Sequence, residues 1–191
     1  ILAFGCAFGL NAVAENSLYL FYPRLPESVQ VATPLLEIVS FALISVGLTN
    51  VTASILQAVG KAYLSVVSVA VGAAIKTVFT YVLVGIPELN IHGAPIATNI
   101  AYPVMLILNL LFIRKYLHYS PKWGQVLFKP LVAALGCFGA VKGFTALFPS
   151  LSAARFGVFP LILVGGIVYV VLLFFLKCIN ICEIRKIFRK N

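Results

Sequence analysis

The chain has 191 residues, of which 62% are hydrophobic and 10% charged, and its net charge is +9. Soluble domains carry about 25% charged residues, so this composition excludes a water-soluble globule, which could not cover its surface with so few charges. In a soluble protein +9 would point to nucleic acid. Here the basic residues cluster between apolar runs, so the expected partner is membrane lipid with anionic headgroups and not nucleic acid.

About 20 apolar residues are needed for a helix to cross the ~30 Å hydrocarbon core. Six runs meet this requirement in chain order: Leu2–Phe21, Ala32–Val59, Ala62–Ile86, Ile91–Ile113, Phe128–Phe148 and Phe156–Cys178. The expected fold is therefore an all-α membrane protein, a bundle of six transmembrane helices. Turn chemistry separates the runs. Pro23 and Pro26 end the first, and Gly60-Lys61 ends the second, with Gly60 suited to the left-handed position after a helix. Pro87 and Asn90 divide the third from the fourth, Pro121 and Gly124 lie in the longest connection, and Pro149 closes the fifth. The chain opens on Ile1 inside an apolar run, without the basic region and cleavage site of a signal peptide; the expectation is a piece of a larger polytopic protein.

Basic residues orient the spans. Lys61 lies in the second connection, Arg114, Lys115, Lys122 and Lys129 surround the fourth, and Lys177, Arg185, Lys186, Arg189 and Lys190 crowd the C-terminus. By the positive-inside rule these alternate segments face the cytoplasm. The intervening ones hold Arg24, Arg155, Glu27 and Glu88 and face outside. Both ends of the chain are then cytoplasmic. Beyond the sixth run, residues 179–191 place Ile181, Ile184 and Phe188 at helical spacing among basic residues, the pattern of an amphipathic helix on the inner leaflet.

Ionisable residues inside spans need a reason, since each costs about 2.5–3.5 kcal/mol at mid-bilayer. Glu15, Glu37, Lys76 and Lys142 are in this position. Lys76 lies ~21 Å from the inner end of its helix, slightly outward of the midplane. Ser65, Ser68, Gly72, Lys76 and Thr80 recur at three- and four-residue steps and share a face. A small, polar face looks into a bundle or a wet cavity. It is either a packing face with Lys76 satisfied by a glutamate, Glu37 being the preferred partner, or an anion-attracting position in a transport path. Ser40, Gly47, Asn50, Ser54, Gln57 and Lys61 form a second stripe on the preceding helix, with Glu37 at its edge and Ile44 interrupting it. That stripe fits a cavity or plain interhelical hydrogen bonding; Thr49 and Thr52 fall off it. Transport-path candidates are thus Lys76, Glu37, Asn50, Ser54 and Gln57. Glu15 and Lys142 are possible charge partners, and Lys142 can snorkel outward.

Other residues carry less. Pro103 removes a hydrogen bond inside the fourth span and should kink it. His92 and His118 lie at connections without a ligand set. Cys6 and Cys137 are in apolar runs, and Cys178 and Cys182, one helical turn apart, have no further ligand nearby. No metal site and no cofactor are expected.

The succession Ser54-Ile55-Leu56-Gln57-Ala58-Val59-Gly60-Lys61, the apolar helix containing Lys76, the segment Leu89-Asn90-Ile91-His92-Gly93-Ala94-Pro95-Ile96-Ala97-Thr98 and the run from Tyr102 to Leu111-Phe112-Ile113-Arg114-Lys115-Tyr116 resembles the C-terminal part of polysaccharide-biosynthesis flippases. These belong to the multidrug/oligosaccharidyl-lipid/polysaccharide superfamily, and the likeness is to the branch of stage V sporulation protein B and the lipid II flippases. It covers Ala32 to Tyr116, and the last two spans by pattern. Pro95 departs from the small residue usual there but fits near a helix start.

The resemblance implies a fourteen-helix transporter with two six-helix lobes and two extra helices. Residues 1–116 would be the last four helices of the second lobe and 117–127 a cytoplasmic connection. Residues 128–178 would be the additional pair, and 179–191 the basic tail. The implied function is alternating-access transfer of a lipid-linked, diphosphate-bearing oligosaccharide or peptidoglycan precursor across the bacterial plasma membrane, with the missing N-terminal lobe as partner. The cations thought to hold the diphosphate in relatives lie mostly in that lobe and carry over to no residue here. A cation-coupled drug or metabolite antiporter of the same superfamily is the alternative, for which Glu15 and Glu37 offer carboxylates. A membrane transferase would need a reaction centre: the chain has no Asp, its two His are far apart, and Gly60-Lys61 precedes Ala62, so it is no phosphate-binding P-loop. The chain is read as a transporter, not an enzyme.

Overall fold

A computed structural model describes residues 2–22, 24–117, 129–147 and 158–175. Among them the regular structure is helical: α1 (Leu2–Ala12), α2 (Ala14–Phe21), α3 (Pro26–Ala58), α4 (Ala62–Val84), a 3-10 turn (Asn90–His92), α5 (Gly93–Leu117), α6 (Lys129–Leu147) and α7 (Val158–Phe175). The protein is an all-α membrane protein. Three apolar stretches, Glu27–Ala58, Ala62–Val84 and Asn90–Tyr116, are long enough to cross a bilayer, and Leu2–Ala12, Pro130–Thr145 and Phe159–Leu173 are shorter apolar helices. The amphipathic tail 179–191, the connection 118–127, His118 and the pair Cys178/Cys182 lie outside the described residues.

Two boundaries differ from the sequence expectation. The first run is two helices, because Val13 leaves helical geometry at φ −109° and ψ 12°. The Ser17 hydroxyl donates to the Val13 carbonyl at 2.8 Å, beside the Ser17 N–H, which donates to the same oxygen at 2.9 Å. Such back-bonding bends apolar helices. The second run is longer than expected at 33 residues, or ~50 Å of helix. It starts at Pro26, where the missing N–H costs nothing, and runs through Pro34.

The α3–α4 turn closes as its sequence predicts. Gly60 is left-handed at φ +76°. Lys61 N donates to Leu56 O and Gly60 N to Gln57 O, both at 2.9 Å, the paired bonds of a Schellman stop. At the other end of α4, Asn90 takes φ +38° before α5, a conformation asparagine tolerates. Pro95 falls in the first turns of α5, and Pro103 lies within the helix.

The chain divides into two compact units. In the unit of α3, α4 and α5, one row of α5 at four-residue steps is buried throughout: Gly93, Ala97, Ala101, Met105, Asn109 and Ile113. Small residues at its start let the backbones approach, which is how helices associate in lipid, where apolar burial contributes little. Leu56, Leu64 and Ile113 form a buried cluster at the far end. The other unit contains α1, α2, α6 and α7, so α1 and α2 pack with the C-terminal pair. It repeats the device: Leu161, Gly165, Tyr169 and Leu173 are a buried four-step row of α7. The Cys137 thiol donates to the Gly165 carbonyl at 3.2 Å, and Phe8 meets Phe138 edge-on at 6.4 Å.

Candidate functional site

The small, polar stripe of α4 is a real face, and it packs on α5. Ser65, Ser68 and Gly72 are buried, while Lys76 and Thr80, toward the C-terminal end of α4, are half-buried. Gly72 sits against Met105, where a Cβ would fall 2.9 Å from the sulfur. The Ser68 hydroxyl donates to its own helix at Leu64 O, 3.1 Å away, so the N-terminal part of the stripe is a packing seam. One turn beyond Gly72 the seam opens at Lys76. Its ammonium stands 6.0 Å from the centroid of the Tyr102 ring on α5. The ring quadrupole attracts the cation there without neutralising it.

The polar residues of α3 lie on two faces. The face toward α5 holds Thr49 and Thr52, both buried, together with Leu56. Asn109 Nδ2 donates to Thr52 Oγ1 at 3.3 Å. Higher up, Asn99 Nδ2 donates to the Ile38 carbonyl at 2.6 Å. These two carboxamides bridge α3 and α5, whereas Thr33, Thr52 and Ser54 donate to carbonyls of their own helix. Thr49 Oγ1 and Asn109 Oδ1 are buried without a hydrogen-bond partner. Roughly a third of a turn away, Asn50, Ser54 and Gln57 are exposed, Gly47 is half-buried and Ser40 is buried. The predicted stripe is therefore buried at Ser40 and exposed over its C-terminal half.

Glu37 is half-buried, and its backbone carbonyl accepts the Ser40 hydroxyl. In the other unit Glu15 and Lys142 are exposed, and the Lys142 ammonium lies 5.8 Å from the centre of the Phe138 ring. Among the described residues no group of three or more His, Cys, Asp or Glu could hold a metal ion.

Sequence reasoning missed Tyr102, Asn99 and Asn109. A carboxamide inside an apolar run such as Met105–Ile113 is itself a signal, since it needs a partner within the bundle. Tyr102 left no such mark; only the crossing of α4 and α5 brings it to Lys76.

Comparison with known proteins supports the membrane assignment and goes no finer. The chain is 29% identical over 166 residues to an uncharacterized membrane protein of Methanocaldococcus jannaschii, an alignment that covers 83% of this chain and 30% of that protein. The chain thus spans less than a third of its relative's length. No family model matches the sequence, and no solved structure matches it.

Proposed function

We propose that the chain is the C-terminal part of an alternating-access flippase of the multidrug/oligosaccharidyl-lipid/polysaccharide superfamily. Its substrate is a lipid-linked, diphosphate-bearing oligosaccharide or peptidoglycan precursor, its location the bacterial plasma membrane, and its described end at Leu2 and its C-terminal tail are cytoplasmic. The observation that carries the reading is Lys76. It is a cation beyond the midplane of a spanning helix, half-buried and set over an aromatic ring. A structural lysine at that depth needs a counter-charge; an anionic substrate passing the site supplies one. The exposed row Asn50, Ser54 and Gln57 supports a wet path, because three polar side chains on a spanning helix are costly against lipid and cheap against water or a second lobe.

Lys76→Met keeps most of the volume and removes the charge. Losing a charge-assisted hydrogen bond costs about 1.5–3 kcal/mol, so transport of a labelled lipid diphosphate should fall by about tenfold or more. Membrane abundance should stay normal, and Lys76→Arg should retain part of the activity. Normal transport by Lys76→Met would overturn the reading. An antiporter would instead depend on Glu37: loss of activity in Glu37→Gln with Lys76→Met unaffected would favour it.

A further inference from the structure

At the end of α3 the Schellman turn presents Lys61 beside the last turn of α5. The Lys61 ammonium lies 5.5 Å from the centroid of the Tyr116 ring, and the Lys115 ammonium lies 5.8 Å from the same centroid. Arg114 is exposed alongside, as are Tyr116 and, at the start of α4, Tyr63. Two ammonium groups gathered on one ring repel each other. The C-terminal ends of α3 and α5 offer only partial negative charge. No carboxylate pairs with these cations among the described residues. Glu27 and Glu37 lie toward the opposite end of α3, and Glu88 follows the far end of α4. Among the described residues the cluster is therefore a cationic site without a carboxylate counter-ion.

What continues from it is apolar. Val59, just past the end of α3, is 47% exposed, and Val66 and Val67, one turn beyond Tyr63 on α4, are 66% and 46% exposed, so hydrocarbon surface continues from the cations along α4. Tyr63 and Tyr116, exposed at the same level, are the amphipathic residues favoured at headgroup depth. A soluble anion would use the cations and leave the track unused. A phospholipid uses both: its phosphate bridges Lys61 and Lys115, and an acyl chain follows the valines. We propose that Lys61, Arg114, Lys115, Tyr116 and Tyr63 form a binding site for the headgroup phosphate of an anionic phospholipid in the leaflet at this end of α3–α5. The site rests on the membrane location alone and is independent of the transport reading.

The test is the relative association of spin-labelled phosphatidylglycerol and phosphatidylcholine with the purified protein in bilayers, read by electron paramagnetic resonance. Each basic residue near an anionic surface contributes about 1 kcal/mol, a factor of about five. Lys61→Gln/Lys115→Gln should lower the preference for phosphatidylglycerol by up to about twenty-five-fold, and Lys61→Arg/Lys115→Arg should preserve most of it. Arg24→Gln/Lys142→Gln removes the same charge elsewhere and should change the preference by less than about twofold. The proposal is overturned if the Lys61/Lys115 variant keeps its preference, or if the Arg24/Lys142 variant loses as much. It is also overturned if millimolar inorganic phosphate displaces the labelled lipid as readily as unlabelled phosphatidylglycerol does, which would make the site one for a soluble anion.

Discussion

Gly72 is the tightest point of the α4–α5 crossing, and a methyl group there tests the packing directly. A Cβ at position 72 would overlap the Met105 side chain from Cγ to Cε, with the sulfur at 2.9 Å. Cε could swing away, but Cγ is fixed close to the backbone, and Met105 is only 7% exposed, so the side chain has little room to retreat. Overpacking of this kind costs about 1–3 kcal/mol. Gly72→Ala should therefore destabilise the protein by that amount even though alanine is the better helix former. The decisive measurement is a double-mutant cycle followed by reversible unfolding in mixed micelles. Met105→Ala alone removes contacts and destabilises. Combined with Gly72→Ala it gives the new methyl space, so the double variant should be more stable than the sum of the singles predicts by at least about 1 kcal/mol. Additivity within about 0.5 kcal/mol, the behaviour of independent sites, would refute the close approach of α4 and α5 at this point.

The α3–α5 bridges give a contrasting expectation. Asn109→Leu removes one interhelical bond, worth ~0.6 kcal/mol on average in membranes, and also a buried oxygen that has no partner, so unfolding should shift by less than about 1 kcal/mol; a loss above 3 kcal/mol would show that Oδ1 has a function in the fold. Gly60→Ala forces an L-residue to φ +76° and should cost about 1–2 kcal/mol in the same assay, with an unchanged midpoint contradicting the left-handed stop. For orientation, Ser120→Cys should resist an impermeant thiol reagent in intact cells while Ser152→Cys is labelled, each on a background without native cysteines; labelling of position 120 from outside would reverse the topology.

Membrane class was legible in the sequence because the bilayer acts on composition and length alone. Any run of sufficient apolar length becomes a helix, since a spanning backbone must satisfy its own hydrogen bonds. The Gly60 stop was legible for a similarly local reason: only a residue free to adopt positive φ closes that turn, and glycine stands there. The shared face of Ser65, Ser68, Gly72 and Lys76 also followed from helical period. Which way a face points did not. In water an apolar face marks the core, but in lipid both faces are apolar, so small residues and carboxamides mark the contacts instead. The four-step row from Gly93 to Ile113 could have been found on that rule. The second row of α3 shows the limit: Thr49 and Thr52, set aside as off-stripe, face α5, while Asn50, Ser54 and Gln57 are exposed. The residues alone left Lys76 with two readings, satisfied by a glutamate such as Glu37 or open to an anion in a transport path. Tertiary structure decides which neighbours a side chain has, because the rotation of each helix and its crossing with its neighbour determine which side chains come within a few ångströms. The crossing of α4 and α5 set the Lys76 ammonium over Tyr102, and the approach of the α3–α4 turn to the end of α5 brought Lys61 to Tyr116. Those angles depend on how the rows of two surfaces interlock, a property of pairs of helices that no single stretch of sequence contains.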